Sequence, residues 1–156
     1  MVTKTKTRLA LCICLLAAWL CVIWGNSMTT GNVSGQLSGW ASAILGKILP
    51  FLAPDAENGH LLVRKIAHFS EFLVMGVLFR WLFAMVAKTN LSRFLLPLAC
   101  GMGCAVIDEC IQSFTPGRVC SFWDMCIDWS GVISGLGLMA LGCILLRKHK
   151  HKKSAA

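Results

Sequence analysis

Charge is scarce in this chain of 156 residues, and acid is scarcest: 14 % of residues are charged, with 15 Lys and Arg against only seven Asp and Glu. An ordinary soluble domain carries about a quarter charged residues, so that class is excluded. A hydrophobic content of 56 % and a mean hydropathy of +0.69 point instead to an integral membrane protein. A transmembrane helix takes about 20 apolar residues, which leaves no room for a sizeable soluble domain beside the spans. The formal charge of +8 does not mark a nucleic-acid partner, because the basic residues cluster at the chain ends and between apolar runs. The nine Cys suggest neither a disulfide framework nor a zinc site: the number is odd, and Cys12, Cys14, Cys21, Cys100, Cys104 and Cys143 lie well inside apolar runs.

The apolar runs predict an all-α integral membrane protein, a four-helix transmembrane bundle forming a single domain over residues 1–156. The first span covers about residues 9–27, after Lys4, Lys6 and Arg8. No A-x-A-like site follows Trp24, so it reads as an uncleaved anchor. The others cover about residues 66–86, 94–114 and 123–146, and a basic tail occupies 147–156. Lys and Arg of short loops stay cytoplasmic. With both termini inside, Lys88, Arg93 and the basic residues of both ends share the inner side, and only Lys47, Arg64, Lys65 and Arg118 lie outside. Arg80, near the inner end of its span, reads as a snorkelling anchor. Between spans one and two, the Gly-, Ser-, Asn- and Thr-rich start suits a loop. Leu37, Trp40, Ala41, Ile44, Leu45 and Ile48 then recur at helical spacing with Ser34, Ser38 and Lys47 among them, as in an outer amphipathic helix that Pro50 and Pro54 would end. Such a helix either lies on the lipid surface or plugs the mouth of the bundle.

Five of the seven acids are in or at the outer ends of the last three spans: Glu71, Asp108, Glu109, Asp124 and Asp128, leaving only Asp55 and Glu57 as ordinary loop acids. At 1.5 Å per residue, Glu71, Asp108 and Asp128 all fall about 7 to 9 Å below the boundary. A charge at the bilayer centre costs about 2.5 to 3.5 kcal/mol even on insertion scales, so these groups face each other or water. Arg64, His68 and Glu71 share one helix face, and Gln112 follows Asp108 by one turn. Asp124, Asp128, Gly131 and Gly135 form a stripe on span four; Asp108, Cys104 and Gly101 form the matching one on span three, where small residues let the two helices approach closely. Arg118 lies in Thr115-Pro116-Gly117-Arg118, a tight-turn sequence. The inferred object is a polar pocket of spans two, three and four, open to the outside, with Arg64, Lys65, His68, Glu71, Asp108, Glu109, Gln112, Arg118, Asp124 and Asp128 as binding candidates.

These groups support several uses. His68, Glu71, Asp108 and Asp128 are candidate ligands of a divalent metal, oxygen favouring Mg, Ca or Mn and imidazole admitting Zn, although the H-E-x-x-H pattern is absent. His68, Glu71, Asp108 and Glu109 are candidate acid/base groups. No nucleophile stands out: Ser70 points about 160° from His68 on an ideal helix of 3.6 residues per turn, and Ser130 and Ser134 read as packing residues. Cys110, Cys120 and Cys126, near the pocket, are either small apolar packers or redox groups. A purely architectural role, ion pairs that fix the bundle, stands beside these. A transporter or proton relay is disfavoured because no ionisable ladder continues inward.

Three ordered motifs carry a resemblance: Arg64-Lys65-x-x-His68-Phe69-x-Glu71-Phe72, then Asp108-Glu109-x-x-Gln112-x-Phe114-x-Pro116-Gly117-Arg118, then Asp124-x-x-x-Asp128-x-x-Gly131-x-x-x-Gly135. Together they resemble the VanZ-like membrane protein family, a branch of which is also similar at Asn26-Ser27-Met28, Gly31, Ser34, Ser38 and Gly39. Many members carry Asn where this chain has Asp128. The resemblance implies a protein of the bacterial plasma membrane, from a family whose named member is associated with decreased susceptibility to teicoplanin, an acylated glycopeptide acting on lipid-linked cell-wall precursors. Two functions are therefore carried forward. One is a non-enzymatic pocket for a membrane lipid, lipid-linked precursor or lipoglycopeptide; the other is an intramembrane hydrolase or transferase acting on such a lipid.

Overall fold

The computed structural model describes residues 2–48 and 56–154. Its five helices are α1 (Val2–Ser27), α2 (Gly31–Ile48), α3 (Ala56–Val86), α4 (Ser92–Ser113) and α5 (Phe122–Ser154). Four contain stretches long and apolar enough to cross a membrane: Thr5–Ser27, Leu61–Val86, Ser92–Ser113 and Phe122–Leu146. The protein is thus an all-α, multi-pass membrane bundle, with α2 as the extra helix between the first two spans. Leu11, Leu95, Val106, Leu138 and Leu145 are among the large apolar residues left exposed on its flanks, as a surface bathed in hydrocarbon requires. The core between the helices holds Ile23, Phe72, Met75, Phe79, Val132 and Leu136.

Helix α3 is the hub, touching α1, α2, α4 and α5. Its closest neighbour is α5, and glycine is the reason. A Cβ at Gly131 would run into the carbonyl oxygen of Phe69, and one at Gly135 into that of Leu73. Lipid tails give little hydrophobic drive for helix association, so backbone contact at small residues supplies the packing. The expected pairing of this stripe with Gly101 and Cys104 of α4 is corrected: Gly131 and Gly135 meet α3, and Gly101 instead accommodates the Val132 side chain. A stripe of small residues names a face of its helix and not the neighbour that the face meets.

Two boundaries also differ from expectation. The first span ends at Ser27 as expected, but the Gly- and Ser-rich stretch expected as a loop after it is mostly helical, since α2 starts at Gly31. Long-range contact outweighs the weak helix propensity of glycine there: the Gly31 N–H donates to the Pro116 carbonyl at 3.0 Å, where a side chain at residue 31 would collide with the Gly117 backbone. Helix α3 starts ten residues before the expected Ile66, at Ala56, so Arg64 and His68 ride on one continuous helix with the span. Pro50, Pro54 and Asp55 lie outside the described residues; α2 is helical through Ile48. Helix α5 carries the basic tail on to Ser154.

Gly135→Ala is expected to force α3 and α5 apart and cost about 1–3 kcal/mol, the usual penalty of overpacking. Gly142→Ala, with open space around its Cβ, is expected to leave stability unchanged. Thermal unfolding of the two variants in detergent checks this, and equal melting temperatures would refute the assigned packing.

Candidate functional site

One end of the bundle gathers the C-terminal ends of α1 and α4, the N-terminal parts of α3 and α5, and α2. The segment between α4 and α5 closes it with a turn. Gly117 has φ +77° and the Arg118 N–H donates to the Thr115 carbonyl at 3.1 Å, the type II arrangement that Pro-Gly favours. This turn aims Arg118 back into the bundle. Its Nε donates to the Thr29 carbonyl at 3.2 Å, one terminal nitrogen to the Asn26 carbonyl at 3.1 Å, and the other to Gln112 Oε1 at 3.3 Å. Burial and the neighbouring Arg64 pull the Arg118 guanidinium below its ordinary pKa, and Asp108, Glu109 and Glu71 oppose that shift.

Gln112, fully buried, is the node beneath it. Its Oε1 also accepts from Arg64 at 3.1 Å, and its Nε2 donates to Asp108 Oδ2 at 2.8 Å. Asp108 Oδ1 accepts from Ser27 Oγ at 2.6 Å. Arg64 pairs with Asp124 at 3.1 Å, and His68 Nδ1 lies 3.0 Å from Asp128 Oδ1. Glu109 Oε2 accepts from the Ser121 backbone N–H at 2.6 Å, and Asn26 donates to Glu71 Oε1 at 2.6 Å. A cavity of about 220 Å³ opens on this network and is lined by Asn26, Arg64, His68, Glu71 and Arg118. Helix α2 roofs it with Ser34 and Ser38, while its Trp40 and Ile44 are exposed. Of the two expectations for α2, the helix that plugs the mouth of the bundle is the one met, with Trp40 and Ile44 left exposed on its other side.

The structure brings together nine of the ten expected binding residues; Lys65 is exposed and lines no part of this cavity. The expected pocket of spans two, three and four is corrected: the cavity is lined by α1, α2, α3 and the segment that leads to α5, and the acids of α4 and α5 lie behind it. Asn26, Ser27 and Thr29 are the residues that sequence reasoning left out of the site; the signal for Asn26 and Ser27 was their place in the run Asn26-Ser27-Met28 that resembles the family, and Thr29 had none. His68, Asp108, Glu109 and Asp128, all buried, each offer an atom within 4.8 Å of the others. Glu71, a residue expected in this group, instead takes its bond from Asn26, and Glu109 stands in its place. Ser70 donates to the Ile66 carbonyl at 2.6 Å and Ser130 to that of Ile127 at 2.6 Å, and both are exposed. Cys110, Cys120 and Cys126 are free and exposed.

The family model VanZ/LLP1 matches residues 12–146, which takes in α2, α3 and α4, most of α1 and α5, and every residue of the network. The chain belongs to the VanZ/LLP1 family. No curated protein and no solved structure matches it. In this VanZ/LLP1 protein the three motifs read from the sequence meet: Gln112 ties the second to Arg64 of the first, and Arg64 and His68 of the first meet Asp124 and Asp128 of the third.

Gln112→Leu removes the shared partner of Asp108, Arg64 and Arg118. Hydrogen bonds to charged groups contribute about 1.5–3 kcal/mol each, so the variant is expected to lose at least about 3 kcal/mol of stability. Ser27→Ala, which removes one bond to Asp108, should lose about half as much. Unfolding in detergent checks the order, and a Gln112→Leu protein as stable as the parent would sink this assignment.

Proposed function

We propose that the cavity binds the polar headgroup of an envelope lipid or lipid-linked cell-wall precursor from the outer leaflet of a bacterial plasma membrane, with both termini of the chain cytoplasmic. The observation that carries this reading is the half-open cavity itself, with Arg64 and Arg118 in its lining and an apolar, lipid-facing exterior around it. Guanidinium groups suit phosphate, because their planar donor fork matches its oxygens. Glu71 and Asn26 supply an acceptor and a mixed partner for hydroxyl or amine groups of the same ligand. A headgroup can reach the chamber while its tails stay in the bilayer, since Leu37, Trp40 and Ile44 of the roof are exposed. Holding such a precursor, or an acylated glycopeptide that seeks it, would lower susceptibility to teicoplanin.

A second reading, an intramembrane hydrolase or transferase acting on that lipid, is favoured by one arrangement. His68 lines the cavity and its Nδ1 meets buried Asp128, the base-and-orienter half of an acid/base pair. Asp108 and Glu109 are then the remaining acid/base candidates.

Arg118→Ala is expected to weaken binding of a fluorescent short-chain phosphatidylglycerol by about tenfold to a hundredfold, the equivalent of one charge-assisted hydrogen bond. Fluorescence anisotropy on monodisperse protein checks it, and equal affinity would overturn headgroup binding. In a Gram-positive host, the parent is expected to raise resistance to teicoplanin but not to vancomycin, and His68→Ala or Arg118→Ala at equal membrane level to abolish it. Protection by those variants equal to that of the parent would leave the network an architectural role. Asp108→Asn that retains lipid binding but loses turnover of that lipid would favour the enzyme.

A further inference from the structure

The arginines serve the mouth of the chamber, but the deeper acids are not accounted for by them. Asp108 and Glu109 are each 1 % exposed and Asp128 is fully buried. Among the described residues, Asp128 Oδ2 and Glu109 Oε1 are buried with no hydrogen-bond partner. A buried carboxylate oxygen left unmatched is costly, and the remedy available to oxygen is a cation. The guanidinium groups of Arg64 and Arg118 share this end of the bundle with five carboxylates, those of Glu71, Asp108, Glu109, Asp124 and Asp128, so positive charge is lacking.

We infer that His68, Asp108, Glu109 and Asp128 form a divalent-cation site, with one imidazole nitrogen and carboxylate oxygens as ligands. Their candidate atoms lie within 4.8 Å of one another. Bonds of about 2.0–2.2 Å place ligand atoms at most about 4.4 Å apart, so the group closes on an ion by roughly half an ångström. The supporting contacts also fit. His68 Nδ1 and Asp128 Oδ1, 3.0 Å apart, already stand at the separation of two neighbouring ligands on one ion with bonds of about 2.1 Å. Asp108 is held by Ser27 and Gln112, and Glu109 by the Ser121 N–H, each bond leaving further lone pairs for an ion. Mixed imidazole and carboxylate ligation suits Mn²⁺ or Zn²⁺ better than Mg²⁺, which prefers oxygen and keeps its waters. This site goes beyond headgroup binding and does not require it.

The test is metal loading of chelator-stripped protein in detergent, purified without a histidine tag and carrying His149→Ala and His151→Ala to remove the tail imidazoles. After desalting from Mn²⁺ or Zn²⁺, elemental analysis is expected to find about one equivalent per chain. Glu109→Gln and Asp128→Asn are expected to retain less than about a tenth of that, and Glu71→Gln, outside the group, the full amount. No retained metal in monodisperse parent protein, or full retention in both deep variants, overturns the site. Should those variants fail to fold, pulsed electron paramagnetic resonance of the Mn²⁺-loaded parent labelled with ¹⁵N-histidine decides: coupling to a histidine nitrogen supports the site, and an all-oxygen spectrum overturns it.

Discussion

Every carboxylate carried into the membrane-spanning layer has to find a partner there, because water is not present to replace one. An unpaired ion at that depth costs several kcal/mol, a sizeable part of the stability of a whole domain. The helix ends of this bundle are arranged around that requirement. Ser27 at the end of α1 serves Asp108, Asn26 serves Glu71, the turn before α5 serves Glu109 through a backbone N–H, and Gln112 relays between Asp108 and two arginines. Such networks rarely gain stability over a well-packed apolar core of the same shape. What they give is uniqueness of arrangement, and here they do so around a cavity.

The close contact of α3 with α5 is the second half of the same design. With the backbones touching at Gly131 and Gly135, the residue one turn above Gly131's layer, Asp128, is carried to 3.0 Å from His68. Bulkier residues in that stripe would separate the helices and leave both groups buried and apart. Packing and electrostatics therefore depend on one another: the glycines set the distance at which the acid and the imidazole meet, and that pair opposes sliding between the helices.

Much of this was legible in the sequence because the bilayer permits so few solutions. Long apolar runs had to be helices, and acids at matching depth on different helices had to converge, which is why His68, Asp108, Gln112 and Asp128 could be grouped before any fold was known. What could not be read was decided by contacts distant along the chain. Glycine at residue 31 looks like a loop residue locally, yet it begins α2 because Pro116 and Gly117 pack on it. Ser27 looks like the polar end of a span, and its partner lies 81 positions away. The glycine stripe announced close packing without naming the helix on the other side, since periodicity gives a face and not a neighbour.

The network is layered, and the layering constrains what the chamber can hold. Cationic groups, Arg64 and Arg118, line the cavity; the acids Asp108, Glu109 and Asp128 lie buried behind it, and His68 belongs to both layers. An anionic headgroup alone would satisfy the arginines and be repelled by the acids beneath. A cation at the acids would reverse that repulsion and add its own attraction for phosphate oxygen. With both ligands bound, the two unmatched carboxylate oxygens and the arginine-lined mouth would be parts of one arrangement, and the affinities of ion and headgroup would be coupled reciprocally.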